Sequence, residues 1–504
     1  MSNSFIANAL PNSVGGALLS VPILLFGFQV LNWIYNIWFH PLRKFPGPLA
    51  SRASALPYIR QNLNGDSIFW TIKLHEKYGE VVRFTPNQLS FSGADAYRDL
   101  YGFKKAGNAS LQKDPDFYIN PSSEVRDLIN SNDEDHARMR RIFSNAFSDR
   151  ALKLQEPLFL VHIDKLVSKI REGPGKKQNL VQLYNFTTFD IMGDLTFGEP
   201  LGMLDDSSYH PWVAAIISSF RFGVYLHSIR YFPAVEALLT KYCIPRSLRE
   251  KMKLHKEFSV QRVDRRLEKV DARPDIWGLV LEKVQYHGLS REEMYTNADL
   301  FMLAGTETTA TLLSGLTFHL LASPTKLETL TREIRSAFAQ EEEITVERLQ
   351  ALRYLNACLE EGLRMYPPVA QGLPRKCPPG APTIVDGHQV PAGSTVQVSN
   401  LAAFRNPNNF RDPYAFVPER WLTDLPEGAL FLHDKKHAFQ PFSLGPRACL
   451  GKNMAYHEMR LILTKLLFNF DLALCEESRQ WIDQKIFIMW DKPQLFVQFQ
   501  PRID

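Results

Sequence analysis

Apolar and polar positions follow two regimes along the chain. From Val14 to Phe39 (VGGALLSVPILLFGFQVLNWIYNIWF) the apolar run is almost unbroken, and no Asp, Glu, Lys or Arg stands before Arg43. Such a run exceeds the roughly 20 residues a helix needs to cross a bilayer. The pattern predicts a transmembrane anchor helix over 14–39, after a short non-cytosolic segment over 1–13. Pro22 is compatible with it. Trp33, Tyr35 and Trp38 suit the membrane interface, and Arg43, Lys44 and Arg52 hold the C-terminal side in the cytosol. A cleaved signal peptide fits worse: there is no basic leader, the run is too long, and no small-x-small site precedes the charges. His40 to Pro48 (HPLRKFPGP) carries three prolines, which predicts a stiff, extended spacer over 40–50.

Over 51–504 the pattern changes. Apolar residues recur at helical spacing near 136–150, 151–171, 181–195, 247–270, 291–322, 325–339, 346–366 and 452–468. Short β-like runs stand near 80–91, 383–398 and 486–499. There is no repeat and no low-complexity linker, so one mainly α domain with small β-sheets is predicted. One helix stands out. Ser290 and Glu293 form a capping box, and the pattern runs to about Ala322, some 48 Å at 1.5 Å per residue. Its middle, LFMLAGTETTATLL (Leu300 to Leu313), is apolar on nearly all faces, yet contains Gly305, Glu307 and Thr308. A mid-helix Gly costs about 1 kcal/mol, and a buried carboxylate costs more unless paired. Rules broken together in a core helix mark a site. Taken singly, Glu307 reads better as a solvent-facing residue and Thr308 as a hydroxyl bonded to the preceding turn.

Composition narrows the class. The 504 residues carry 58 Lys plus Arg against 54 Asp plus Glu, a net charge of +4, which excludes binding to a polyanion by bulk charge. Nucleic acid is not an expected partner. With 5 cysteines, a disulfide framework is excluded, and a cytosolic body keeps the thiols reduced and the sequons at Asn108 and Asn185 unglycosylated.

Most site motifs are absent. No Cys-x-x-Cys occurs, so a zinc ribbon and a c-type haem attachment are excluded. His457-Glu458 lacks the second His of a zincin, His433 and His437 lack a third ligand, and Gly175-Lys176 lacks the first glycine of a phosphate loop. No Gly-x-Ser-x-Gly elbow exists. What remains is FSLGPRACLG, Phe442 to Gly451. Cys449 lies between glycines, after Pro and Arg, before an amphipathic helix whose N-terminus favours a thiolate. Arg447 adds charge. Cys449 is therefore read as an anionic sulfur ligand, and Cys243, Cys358, Cys377 and Cys475 as packing thiols.

The chain resembles the cytochrome P450 family over its whole length. Phe442 to Gly451 matches the Phe-x-x-Gly-x-Arg-x-Cys-x-Gly haem signature at every fixed position. Ala304-Gly305-Thr306-Glu307-Thr308-Thr309 matches the oxygen-activation motif, Glu361-Gly-Leu-Arg364 the Glu-x-x-Arg motif, and Phe416 to Trp421 the Pro-Glu-Arg segment, in the family's order. The resemblance implies haem b with Cys449 as its axial thiolate, which favours O–O cleavage. It implies that Phe442 shields the sulfur and that Gly445 and Gly451 allow close approach to it. His136, Arg140, Arg375 and Arg447 are implied as propionate partners, with Arg138 and Arg141 facing outward. It implies Ala304 beside dioxygen, Glu307 and Thr308 as the acid–alcohol pair delivering protons, and Glu361, Arg364 and Arg420 as a structural triad. Phe404 stands where many relatives carry His.

The function this implies is an NADPH- and O2-dependent monooxygenase of a hydrophobic small molecule, anchored in the endoplasmic reticulum membrane with its domain in the cytosol. With no flavin or dinucleotide fingerprint, electrons come through NADPH–cytochrome P450 reductase, docked on Arg138, Arg141 and Lys452. A haem-thiolate isomerase or peroxygenase, or a non-catalytic haem sensor, are the alternatives. Substrate-contacting regions are expected near 101–125, 212–227, 366–373 and 486–489, with Phe220, Phe222, Tyr225 and Phe487. The stretch from Asn120-Pro-Ser-Ser to Phe147-Ser148 resembles filamentous-fungal enzymes of secondary metabolism, such as isotrichodermin hydroxylases, which suggests a terpenoid, polyketide or alkaloid.

Overall fold

The computed structural model describes residues 14–103, 111–118, 125–243, 245–269, 273–283, 288–380 and 382–502. The predicted contact motif at Asn120 to Ser123 and the sequon at Asn108 lie outside the described residues, as do the side chains of Phe220, Phe222 and Cys243.

The long helix Arg291–Leu321 runs through the centre, opened by Ser290 and Glu293 in a reciprocal capping box. It lies along Leu180–Phe197, in which every residue but Gln182 is buried. Gly305 permits that closeness: a Cβ there would sit 2.7 Å from the Met192 sulfur. The helix Asp149–Arg171 and the helix Lys452–Asn469 flank this pair. Asn185 is buried and donates to the Tyr209 hydroxyl at 2.9 Å, a place no glycan fits.

Boundaries differ from the periodic reading where side chains cap the backbone. The stretch 136–150 resolves into Asp133–Phe143, capped by Asn132, followed by a break before Ser148 caps the next helix. The stretch 346–366 splits into Val346–Gln350 and Arg353–Met365 because the Glu333 carboxylate captures the amides of Tyr354 and Leu355, each at 2.8 Å. Helices at Leu56–Leu63, Ser67–Tyr78, Pro211–Ile229 and Pro233–Cys243 left no clear periodic signal. Pro211–Ile229 is termed the roof helix here, because it bridges the N-terminal helices, Phe117 and the C-terminal hairpin.

The β part is small. A five-stranded sheet has the order β1 (Val81–Thr85), β2 (Gln88–Phe91), β8 (Thr395–Val398), β5 (Arg375–Lys376), β3 (Gln112–Lys113). A second joins β4 (Lys177–Asn179), β10 (Phe496–Pro501) and β9 (Phe470–Leu474), and a hairpin joins β6 (Thr383–Val385) to β7 (His388–Val390). The first sheet brings β3 and β5 together at Lys113↔Arg375, two cations from distant parts of the chain.

The apolar segment forms a helix over Val14–Ile34 and a π turn over Tyr35–Phe39, long and apolar enough to cross a membrane. Residues 40–50 are not an extended spacer. Pro41–Lys44 coils into a 3-10 turn, and Leu42 and Phe45 are buried in the body. Prolines removed helix donors without removing the drive to bury two large apolar side chains. Arg52, one of the cations that follow the anchor, donates to the carbonyls of Ile37 at 2.9 Å and Arg43 at 3.1 Å.

Candidate active site

The loop Phe442–Gly451 is wound so that the Cys449 amide donates to the Phe442 carbonyl at 2.8 Å. Gly445 is needed for its own backbone: its φ is +70°, and a Cβ would lie 2.1 Å from the Tyr101 carbonyl oxygen. At Gly451 a Cβ would meet no protein atom. Cys449 lies deep in the protein yet its surface is open, so it faces interior space. Burial pushes its thiol up; the Gly451 N–H and the charges of Arg140 and Lys452 pull the other way. The positive charge felt by the sulfur thus comes from Arg140 and Lys452 rather than Arg447. Arg140 reaches this loop directly, donating to the Ala448 carbonyl at 2.6 Å. Phe442 packs its ring 5.2 Å from that of Tyr456.

A second cluster gathers cations. Arg447 donates through Nη2 to Ser131 O (2.9 Å) and Asp133 (2.8 Å), while its buried Nη1 has no partner. Arg375 is buried over the Tyr101 ring at 5.4 Å. His136 is buried, and burial with the charges of Arg447, Arg140 and Lys113 lowers it to about 3. Lys113, absent from the sequence reading, is held down to about 6 by burial and then by Arg375 and Arg447. Arg447 is itself lowered, first by burial. A buried, mutually repelling set of cations with one guanidinium nitrogen unpartnered suits an anionic group. The two carboxylates of haem match it, and the open sulfur of Cys449 is a donor that iron accepts. The residues therefore fit the haem that the sequence implies.

On the long helix, Ala304 is open and Thr308 half-open, although most of the helix is buried. The Thr308 hydroxyl donates to the Ala304 carbonyl at 2.6 Å, the back-bond that its isolated reading foresaw. Glu307 is buried, not solvent-facing, and pairs with Lys492, which the sequence reading missed. Glu307 and Thr308 share the motif but make no hydrogen bond to each other among the described contacts.

Behind the site, Glu361 receives Arg364 at 2.9 and 2.7 Å and Arg420 at 3.2 Å, all three fully buried. Asp434 joins them, pairing with Arg420 at 2.5 Å. It lies between His433 and His437, both exposed. Arg138 lies at the surface as expected, its side chain 40% exposed, but its charge is taken up: it pairs with Glu293 and donates to the Gly288 carbonyl at 2.6 Å. Arg141 and Lys452 are exposed.

A helical body around a buried helix pair, with a cysteine open to the interior beside buried cations, defines a haem-thiolate protein. The chain belongs to the cytochrome P450 family, whose model matches residues 55–499. It is 46% identical over 480 residues to cytochrome P450 monooxygenase efuB of Hormonema carpetanum, covering 94% of each chain. It is 46% identical over 475 residues to cytochrome P450 monooxygenase FUM2 of Gibberella moniliformis, covering 92% of this chain and 99% of that one. Trichothecene C-15 hydroxylase of Fusarium sporotrichioides is 40% identical over 482 residues, 94% of this chain and 96% of that one. The chain is an oxidoreductase, a monooxygenase of the type these fungal relatives represent.

Proposed function

We propose that this monooxygenase oxidises a hydrophobic secondary metabolite, a terpenoid, polyketide or alkaloid, using O2 and electrons from NADPH delivered by cytochrome P450 reductase at the endoplasmic reticulum membrane. The observation that carries the reading is the open sulfur of Cys449 deep in the body, beside a buried cation set with an unpartnered Arg447 nitrogen. Cys449 would hold the haem iron, Arg375, Arg447, Lys113 and Arg140 would balance its carboxylates, and the uncharged His136 would offer a hydrogen bond beside them. The bound haem supplies the activation of O2; the thiolate ligand favours O–O cleavage.

The chain's own residues do the rest. Ala304 leaves space beside Thr308, whose hydroxyl holds a proton at Oγ1, and Glu307 is the carboxylate that replenishes it. Buried Leu312, Leu313 and Phe301 keep water from this stretch. Lys452 and Arg141 form the exposed basic patch on which an acidic reductase docks. That the Fusarium relative is a trichothecene hydroxylase supports a terpenoid-like substrate. Half-buried Phe117, Phe487 and Ile488 offer apolar contact to it.

The test is a reduced CO difference spectrum of the full-length protein. The wild type gives the CO band of a thiolate-ligated haem; Cys449→Ser loses it and loses product formation. Full activity in that variant would end the reading. Replacing Arg141 by Glu is expected to slow reduction by the reductase while leaving the spectrum intact.

A further inference from the structure

Glu307 makes its described side-chain contacts with Lys492 and Thr311, not with Thr308. Its Oε1 accepts from Lys492 Nζ, and its Oε2 is buried without a hydrogen-bond partner. The Lys492 and Glu307 side chains are 4% and 5% exposed, so the pair is a buried one. Lys492 comes from 185 residues further along the chain, at the end of a tight hairpin. The hairpin is stiff. Asp491 N–H donates to the Lys485 carbonyl at 2.9 Å, and Phe487 N–H to that of Met489 at 3.0 Å. Trp490 stacks on Tyr366 with ring centroids 4.0 Å apart, and its indole donates to Pro367 O at 2.8 Å.

The residue before Lys492 grips a different helix. Asp491 pairs with Arg221 of the roof helix at 2.5 Å. The Arg221 guanidinium lies 4.9 Å over the Phe487 ring of the same hairpin. Two residues on, Gly223 lets the helix close on Ile488, where a Cβ would lie 2.6 Å from the Ile488 methyl. Sequence neighbours Asp491 and Lys492 thus hold the roof helix and the long helix at once. A rigid hairpin cannot move at one end and stay still at the other, so a displacement of the roof helix is carried to Lys492.

We propose that Lys492 is a positioning residue of the monooxygenase reaction: it holds the Glu307 carboxylate away from Thr308, and the hairpin releases Glu307 when a seated substrate displaces the roof helix. The proposal rests on the assignment of Glu307 as the acid that replenishes Thr308. In the resting protein a charge pair keeps that acid in place, which restrains proton delivery, and so NADPH consumption, until substrate is present.

The experiment needs no identified substrate. Full-length protein is mixed with the reductase and NADPH alone, with amounts normalised by the CO spectrum. NADPH oxidation, hydrogen peroxide release and the solvent isotope effect in D2O are measured. Lys492→Met is expected to raise idle NADPH oxidation roughly tenfold and Arg221→Gln roughly threefold, both below the roughly 100- to 10,000-fold that a positioned proton-transfer group can supply. Lys492→Arg keeps the idle rate within about twofold of wild type, and Glu307→Gln added to Lys492→Met abolishes the rise. Wild-type idle rates in both Lys492→Met and Arg221→Gln, with Glu307→Gln altering the rate or the isotope effect, overturn the proposal alone. If Glu307→Gln leaves both unchanged, the assignment of Glu307 fails and the proposal falls with it. Should Lys492→Met lack a CO band, Arg221→Gln decides the matter, since that ion pair is solvent-exposed at 61% and 42%.

Discussion

Replacing Glu361 by Gln removes one charge and almost no volume from a fully buried network. Five donors converge on this carboxylate: two from Arg364, one from Arg420, the Val417 amide at 2.8 Å and the Trp421 indole at 3.1 Å. A Gln offers one acceptor oxygen and turns an NH2 group toward guanidinium donors. Two buried guanidinium groups are left with Asp434 as the remaining carboxylate of the network. Breaking a buried ion pair in this way costs about 3–5 kcal/mol. For a body of about 450 residues, an unfolding entropy near 2.1 cal/mol/K per residue converts that into a Tm drop of about 4 °C. Burial works to raise the Glu361 pKa, but the charges of Arg364 and Arg420 outweigh it and the pKa is lowered. A lowered carboxylate stabilises the fold above its ordinary titration range, and that stability is lost as pH falls through the lowered value. Thermal melts at one fixed scan rate, at pH 7 and at acid pH, check both points. The gap between wild type and Glu361→Gln should narrow in acid. A variant melting within about 1 °C of wild type at pH 7 would refute the argument, because no buried network of this kind can lose its central charge so cheaply.

Other expectations concern single sites. Gly445→Ala forces a side chain at φ +70° into the Tyr101 carbonyl and should abolish soluble holoprotein, whereas Gly451→Ala, with no protein atom to meet, should keep the haem-free fold and weaken haem retention; melting and haem titration separate the two. Lys113, lowered to about 6 without its anion, must regain a proton when carboxylates arrive, so haem affinity should fall as pH rises from about 7 to 9, and Lys113→Met should flatten that slope in fluorescence-quench titrations. Glu458 is raised to about 8 by burial, so stability should fall as pH rises through the interval up to that value, and Glu458→Gln should remove this loss in melts at pH 9.

The cysteine loop was legible because its chemistry is local: two glycines, an arginine and a helix start surround the sulfur within ten residues. The long helix was legible because the Ser290–Glu293 box and the Ser323-Pro324 stop are written beside it. What stayed hidden depends on long-range closure. Arg447 meets Ser131 across 316 positions, and Lys492 meets Glu307 across 185. No periodicity signals such partners. Lys113 lies on a two-residue strand, too short to carry a pattern, and gains meaning only when β5 brings Arg375 alongside. Arg138 faces outward as its helix geometry indicates, but that geometry alone does not reveal its pairing with the Glu293 cap of another helix. The helices of the body before residue 101 are short, two of them of 8 and 6 residues, and the roof helix lacks contrast between faces, so they emerged only from packing.

The joint below the N-terminal helix has a mechanical consequence. The Asn36 amide donates to the Ala53 carbonyl at 3.0 Å, and Arg52 clasps the carbonyl of Ile37 from the other side. Leu42 and Phe45 are sunk in the body between these two fastenings. A protein fastened in this manner does not swing on a tether. Wherever that helix is embedded in lipid, its inclination sets the attitude of the body fastened to it.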